Sequence, residues 1–541
     1  MKKFKLLFLS LLSGVLLSIA WPATGGLFFL VFVALVPLLY VENIIYNNKD
    51  KYKSFHFFNY AYVTFFTWNA ITTWWIYYAT AEGMVAAVIF NALFMAVIAL
   101  LFHFTKKVLG SKRGYVALVV YWLSFEYLHL GWDLSWPWLT IGNVFAQNIQ
   151  IVQWYEYTGV MGGSLWVLIV NILLFRLFRE IYILKKSSKT QIKEIITISV
   201  VLFAPIIYSL IVYTNYQEKV NPVDIVIVQP NIDPYTEKFN GLTPGEQLER
   251  MNNLALTMID EQTDYVVFPE TALPQGIWEN KLEISEPVRI IKEFIKDYPK
   301  LHYLTGLVSF REYNPGEKFS ATARPYRDGG GGHYDVYNTA MQINHSDEIQ
   351  LYHKSKLVPG VEKMPFPFLF GFLEAYAIDI GGMTGSHGID PKRISFSSAD
   401  NKIKVAPVIC YESIYTEYVG DYVKNGADII TIITNDGWWN DTPGYKQHLQ
   451  YARLKAVSNR RSIARSANTG ISCFINQRGD IQQATSWWEP AVIRQTVNAN
   501  DEITFYVKHG DYIARASVLM AILILLGAIA FSLNKTKQRL G

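Results

Sequence analysis

"VAPVICYESIY", residues 405–415, is an apolar, β-branched run that ends at a cysteine and passes at once into polar residues. A short apolar run bounded this way reads as a buried strand. The residues after it, 412–424, follow helical spacing. The same alternation extends in both directions. "DIVIVQP" (224–230), "DYVVFPE" (264–270), "HYLTGLVSF" (302–310), "YNTAMQIN" (337–344), "KIKVAPVIC" (402–410), "DIITIITND" (428–436) and "GISCFINQRG" (470–479) are β-rich runs. Helical patterns lie over 244–262, 285–297, 412–424 and 446–459, so this part of the chain reads as an α/β domain. The glycine run "RDGGGGHYD" (327–335) cannot be a strand interior and reads as a flexible loop.

Beyond this domain the chain changes character. Of its 541 residues 51% are apolar, 15% aromatic and only 17% charged, against about 25% charged in an ordinary soluble domain. Residues 6–21, 26–46, 57–79, 84–104, 114–130, 160–178, 195–213 and 512–533 are apolar stretches, each near the ~20 residues that span a membrane as a helix. Basic residues cluster on alternate sides of these stretches: Lys2, Lys3 and Lys5; Lys49, Lys51 and Lys53; Lys106, Lys107, Lys112 and Arg113; Arg176 to Lys193; and Lys535 to Arg539. The opposite short loops, 22–25, 80–83 and 131–159, hold none. Positive charge stays inside, so both termini are expected in the cytoplasm. By parity, the domain between spans seven and eight faces the other way. The expected organisation is 1–215, a bundle of seven spans; 216–510, an extracytoplasmic catalytic domain; and 511–541, an eighth span with a basic tail. The start also has the form of a signal peptide, but Trp21 and Pro22 interrupt the cleavage site, so residues 1–21 are expected to remain. A net charge of +4 gives no reason to expect a nucleic-acid partner.

Functional residues of α/β domains gather where strands end. Here those ends present Glu270 in "FPET", Cys410 in "ICYE", and Asn435, Asp436 and Trp438 in "TNDGWW". The segment "LYHKSKLVPGVEKMPF" (351–366) adds Lys354 and Glu362. A carboxylate, a lysine and a cysteine are what covalent acyl chemistry requires. A thiol with a pKa near ~8.5 needs a base or a cation to become a nucleophile, and a cation can also hold an oxyanion. Each residue also has a plainer reading: Cys410 as core filler or as half of a disulfide with Cys473, Glu270 as a helix cap, Lys354 as a surface charge, Trp438 and Trp439 as core.

The ordered set "FPET", "YHKxxLVP…E", "ICYE" and "NDGWW" followed by "QHLQYARLKAVSNRRSIARSANTGIS" resembles the nitrilase superfamily, whose members use a Glu–Lys–Cys triad on an αββα sandwich. The apolar spans narrow the resemblance to the apolipoprotein N-acyltransferase family, and "SWPWLTIGN" (135–143) is similar to that family's Pro-Trp-Leu-x-x-Gly stretch, which singles out Gly142. The implied fold is an α-helical transmembrane bundle of eight spans plus an α/β nitrilase-like αββα sandwich. Position by position, the resemblance implies Cys410 as nucleophile, Glu270 as general base and Lys354 as stabiliser of the tetrahedral intermediate. Glu362 is implied as a second acid near the lysine, Tyr411 and Glu412 as the pair after the cysteine, Trp438 as a tryptophan at the acyl-chain entrance and Asn338 as an active-site asparagine. The chain departs from the family at Pro359-Gly360-Val361-Glu362, where Pro-Phe-Gly-Glu is usual, and at Glu126 with His129, where Glu-x-x-Arg is common.

The implied reaction moves an acyl chain from a phospholipid, through a Cys thioester, to the N-terminal amine of a diacylglyceryl-cysteine apolipoprotein, the last step of lipoprotein maturation. It calls for no cofactor and no metal, for a monomer, and for the bacterial inner membrane with the catalytic domain in the periplasm. A tethered hydrolase of soluble amides would keep the triad but leave eight spans unexplained. A transporter would explain the spans but not the triad, and would need more intramembrane charge than Glu126.

Overall fold

Backbone N–H and C=O groups in lipid must be paired within their own segment, so long apolar runs fold as helices. In the computed structural model, residues 2–239, 241–326, 332–346, 348–366 and 386–540 are described, and they fall into two compact units. One is Met1–Asn215 with His509–Gly541; the other is Tyr216–Lys508. Of the glycine-rich stretch, residues 327–331 lie outside the described residues.

The first unit is helical, with Lys2–Ala20, Val36–Asn47, Ser54–Thr73, Ala81–Leu109, Ser111–Leu128, Tyr155–Phe178, Ile192–Asn215 and Tyr512–Leu540 as its long elements. Six stretches among the described residues are long and apolar enough to cross a membrane: Lys3–Ala20, Phe28–Asn47, Ala81–Leu109, Tyr155–Ile183, Lys189–Asn215 and Tyr512–Lys535. The third and fifth expected spans are helices of 20 and 18 residues that fall outside this set. Asn59, Thr64, Thr67, Asn69, Thr72 and Thr73 dilute the first, and Lys112, Arg113 and Glu126 the second. Small and hydroxyl-bearing residues let helices approach closely, as is common in membranes. A Cβ on Gly14 would lie 2.5 Å from the Thr64 carbonyl oxygen, and Thr64 Oγ1 donates to the Ser10 carbonyl at 2.9 Å. Buried charge is not confined to Glu126. Glu42 also pairs with His103 Nδ1 at 2.8 Å and with the Lys106 ammonium.

The second unit holds fourteen strands among the described residues: β1 (Pro222–Gln229), β2 (Tyr265–Val267), β3 (Leu273–Trp278), β4 (His302–Glu312), β5 (Arg324–Pro325), β6 (His333–Ile343), β7 (Gln350–His353), β8 (Phe396–Ser397), β9 (Lys404–Ile409), β10 (Ile429–Thr434), β11 (Ile463–Ala467), β12 (Cys473–Ile475), β13 (Ile481–Gln482) and β14 (Ala491–Asn498). One sheet runs β14-β1-β2-β4-β6-β5, with β3 on β4 and β7 on β6; the other runs β13-β12-β11-β10-β9-β8. Strands β1, β2 and β4 are mutually parallel, as are β9, β10 and β11. Every residue of β10 is buried, as expected of a parallel strand covered on both faces.

Leu248, Met251 and Ala255 of helix Pro244–Leu256, with Val288, Ile291 and Ile295 of helix Glu286–Ile295, cover the first sheet through Val226, Val266, Phe268 and Leu307. Helix Thr416–Lys424 packs on β9 of the second. The inner faces meet, with Ser466 Oγ donating to the Val228 carbonyl at 2.9 Å and Gln342 Nε2 to the Ser397 carbonyl at 2.8 Å. The order helix, sheet, sheet, helix is the expected sandwich. The carboxyl ends of β2, β9 and β10 open into the crevice where such folds place their chemistry.

Candidate active site

β9 ends at Ile409, and Cys410 opens the tight turn Cys410–Ile414 with φ of +48°. A non-glycine residue in the left-handed region costs about 1–3 kcal/mol and persists only where its surroundings hold it. Glu412 does part of that holding. Its carboxylate accepts from Ile409 N at 3.0 Å, Ser355 N at 2.7 Å, Lys356 N at 3.3 Å, Tyr352 Oη at 2.7 Å and Tyr418 Oη at 2.7 Å. One buried carboxylate therefore ties the turn after Cys410 to the segment after Lys354. Tyr411 is buried, its ring centroid 5.4 Å from that of Tyr415.

Glu270 stands three residues past the end of β2, on a turn where Thr271 has φ of +47°. The turn presses on Gly306 of β4, which has no Cβ to obstruct it and whose N–H donates to the Pro269 carbonyl at 3.1 Å. From the other side Lys238 donates to Thr271 Oγ1 at 2.6 Å and to the Glu270 carbonyl at 3.3 Å. So held, Glu270 Oε1 accepts from Lys354 Nζ at 2.9 Å and Asn338 Nδ2 at 2.7 Å, while Oε2 accepts from Asn435 N at 3.1 Å.

Lys354 follows β7, its N–H on the Asn338 carbonyl at 2.8 Å. Its ammonium also reaches Glu362 Oε1 at 2.7 Å. Gly360, with φ of +80°, turns the chain back so that Glu362 faces the lysine despite the altered Pro-Gly-Val sequence. Asn338 Nδ2 spans both acids, 3.3 Å from Glu362 Oε1.

The electrostatics follow from this packing. Burial pulls the Lys354 ammonium down, but Glu270 and Glu362 outweigh it and hold its pKa well above the lysine value. Burial pushes Glu362 up, and Lys354 with His387 more than reverses that, leaving it below the usual carboxylate range. For Cys410, burial and then the Glu270 carboxylate raise the thiol well above its ordinary value, against the opposing pull of Lys354 and the Thr434 hydroxyl. The resting thiol is therefore protonated, and a base has to act at the moment of attack. Burial brings Lys238 down to about 8.

Of the residues singled out in the sequence, the fold brings Glu270, Lys354, Glu362 and Asn338 into one hydrogen-bonded cluster, with Cys410 in electrostatic reach of Glu270 and Lys354. Tyr411 and Glu412 build the turn behind it. Trp438, in the turn Asp436–Trp439, packs edge-on against Tyr235 at 5.3 Å and accepts the Tyr235 hydroxyl on its carbonyl at 3.0 Å. Gly142 belongs to the helical unit, where its N–H donates to Ser164 Oγ at 2.9 Å and its carbonyl accepts from Tyr155 Oη at 2.8 Å. Cys410 and Cys473 are both free thiols, so the disulfide reading is not realised. Two contributors escaped the sequence reading, Lys238 and Gly306, while Asn435, singled out at its strand end, contributes through its backbone N–H. Lys238 follows β1, which runs parallel to β2 and opens on the same crevice, and that placement was the available signal.

The chain matches two family models. The family described as apolipoprotein N-acyltransferase N-terminal domain matches residues 13–173, and carbon-nitrogen hydrolase matches residues 226–504. The apolipoprotein N-acyltransferase of Chlorobaculum tepidum is 32% identical, covering 96% of this chain and 96% of the relative. That of Geobacter metallireducens is 26% identical over 97% of this chain and 95% of its own. Among solved structures, Saccharomyces cerevisiae Nit3, a member of branch 10 of the nitrilase superfamily, aligns at 14% identity with a TM-score of 0.36, covering 52% of this chain and 92% of that one.

Proposed function

This chain belongs to the apolipoprotein N-acyltransferase family, and from that membership we propose that it transfers an acyl chain from a membrane phospholipid to the N-terminal α-amine of diacylglyceryl-cysteine apolipoproteins, the closing step of lipoprotein maturation. It is an N-acyltransferase with a carbon-nitrogen hydrolase domain. We place it as a monomer in the bacterial inner membrane, with eight spans, both termini in the cytoplasm and the catalytic unit in the periplasm. The observation that carries the reading is the buried Lys354 ammonium shared by Glu270 and Glu362, with Cys410 on a left-handed turn beside it.

In the first half-reaction Glu270 takes the Cys410 proton as Sγ bonds to the ester carbonyl carbon. The charge that develops on the carbonyl oxygen is held by the Lys354 ammonium, a donor of a kind worth roughly 3–4 kcal/mol. The intermediate collapses by breaking the ester C–O bond. Glu270 returns its proton to the departing oxygen, so lysophospholipid leaves and a thioester remains. In the second half-reaction the acceptor amine attacks the thioester carbon, Glu270 removes a proton from the nitrogen, and as the C–S bond breaks Glu270 passes that proton to the departing Cys410 sulfur. An amide and the free enzyme result, with no cofactor or metal needed. Aromatic residues such as Tyr411, Trp438 and Trp439 are suited to excluding water, which would otherwise intercept the thioester.

The test uses the purified full chain with vesicles of phospholipid labelled in the acyl chain and a synthetic diacylglyceryl-cysteine peptide. Label should appear on the peptide amine and not on the same peptide with its amine acetylated. Label released only as free fatty acid would overturn the transferase reading in favour of a hydrolase.

A further inference from the structure

The chemistry above leaves unused a buried charged network that touches the backbone of the nucleophile. His448 lies on helix Pro443–Asn459, and its Nε2 is 3.2 Å from the Cys410 carbonyl oxygen and 2.9 Å from Ser413 Oγ. Ser413 Oγ donates to the same carbonyl at 2.7 Å. On its other side, His448 Nδ1 is 3.0 Å from Asp436 Oδ1 and 3.2 Å from Arg465 Nη2. Arg465 Nη2 donates to Asp436 Oδ2 at 2.6 Å, and Thr434 Oγ1 to Asp436 Oδ1 at 2.8 Å. The Trp439 ring packs edge-on against the imidazole at 5.6 Å. His448, Asp436, Arg465, Ser413 and Thr434 are each at most 1% exposed.

A backbone carbonyl only accepts hydrogen bonds, so the contact with Cys410 places a proton on Nε2. Nδ1 then either donates to Asp436 or accepts from Arg465, and in both cases the ring is pinned from behind. The second partner of a histidine ring sets which nitrogen is the donor and where it points. Packing alone would call for an apolar side chain here. A histidine wired to an ion pair, with its Nε2 set against the Cys410 carbonyl and the Ser413 hydroxyl, is a more specific arrangement. That carbonyl belongs to the residue with φ of +48°, and fixing it fixes the peptide plane that sets where Sγ points.

We propose that His448, oriented by Asp436 and Arg465, is a positioning residue: its Nε2–H holds the Cys410 carbonyl and keeps the nucleophile in the left-handed conformation from which Sγ reaches the acyl carbon. The proposal rests on the reading of Cys410 as nucleophile. It predicts loss of rate without loss of lipid binding, because a reacting atom displaced by ~1 Å forfeits about 100-fold.

The test measures acyl-enzyme formation by the full chain at increasing concentrations of phosphatidylethanolamine vesicles, with the acyl adduct mapped by mass spectrometry. His448→Leu should lower the saturating rate by about 100-fold and leave the half-saturating lipid concentration unchanged. His448→Gln, whose amide N–H can reach the same carbonyl, should recover at least about tenfold of that loss. Equal rates in the leucine and glutamine variants, whether both intact or both lost, overturn the proposal. Ser413→Ala, which removes the other donor by a single oxygen, should slow the same step by about tenfold at unchanged half-saturation, and a wild-type rate there also overturns it. If the wild-type protein forms no adduct on Cys410, the proposed function fails. An adduct formed at the same rate in His448→Leu leaves that function standing and removes only this inference.

Discussion

Gly306 offers a test of the site in which nothing that touches substrate is changed. In Gly306→Ala the new Cβ would lie 2.5 Å from Thr271 N, 2.7 Å from Glu270 Cα and 2.8 Å from the Pro269 carbonyl oxygen. All three are backbone atoms, so no side chain can rotate aside. Ordinary contact begins at about 3.5 Å, so the Glu270 turn must retreat by about 1 Å. Its carboxylate now accepts three donors at 2.7 Å, 2.9 Å and 3.1 Å, and a retreat of that size stretches them toward the limit at which a hydrogen bond ceases to count. A displacement of ~1 Å at a reacting group costs about 100-fold, or about 2.7 kcal/mol of barrier. Overpacking costs about 1–3 kcal/mol against a total stability of about 5–15 kcal/mol, so the variant should still fold. Single-turnover release of lysophospholipid, measured beside the thermal midpoint, reads both quantities. Gly245→Ala is the control, because nothing lies within 4 Å of its Cβ position, and it should acylate like wild type. Folded Gly306→Ala protein acylating within about threefold of wild type would refute the placement of Glu270 on this turn as rate-determining.

Cys473 is buried on β12 and burial pushes its thiol up to about 12. Cys473→Ala should therefore keep acyl transfer, which the lipopeptide assay measures directly. Asp436 titrates below its ordinary value because Arg465 and His448 outweigh the opposing effect of burial, and Glu362 does so because Lys354 does the same. Since the folded state binds these protons less readily than the unfolded chain, stability present at neutral pH should be lost as pH falls through and below about 4. Urea midpoints between pH 7 and 3.5 should show it, with a shallower fall in Asp436→Asn. Lys238 has the same sign in a higher window. Burial brings it down to about 8, so between pH 8 and about 10.4 the unfolded chain holds more protons and stability should rise with pH by up to about 3 kcal/mol. Lys238→Met should abolish that rise; an unchanged slope would show that Lys238 does not titrate in the folded state.

The α/β character and the strand ends were readable because β-branched runs stop abruptly at Glu270, Cys410 and Asn435. What the sequence hid was long-range. β11 (Ile463–Ala467) carries Arg465 and Ser466 inside a sheet, which local patterning counts against a strand. The charge is tolerated because Asp436, 29 residues away, neutralises it at 2.6 Å. The run 470–479 shortens to β12 because the Asn476 N–H turns back onto the Asp480 carbonyl and Gly479 takes φ of +92°. β14 pairs antiparallel with β1, Asn498 opposite Pro222, and no local pattern announces a partner so distant. Helices form where the third and fifth spans were expected, Ser54–Thr73 and Ser111–Leu128, but their Asn, Thr and charged residues keep both out of the set that is long and apolar enough to cross a membrane. In the site, the Glu–Lys–Cys set was legible from motifs. The roles of Glu412 as a five-donor clamp and of Gly306 as a bare backing for Glu270 depend on packing that only the folded chain displays.

The central claim is a thioester on Cys410. Incubating the full chain with phospholipid vesicles and no acceptor, then digesting it and mapping acyl groups by mass spectrometry, tests that claim most directly. The account predicts one acyl chain on the peptide containing Cys410, removable by neutral hydroxylamine, with an equal amount of lysophospholipid released before any lipopeptide is added. It also predicts no adduct in Cys410→Ser, whose hydroxyl is far harder to ionise than a thiol. An acyl group on another residue, or lysophospholipid that appears only once the acceptor is present, would contradict it.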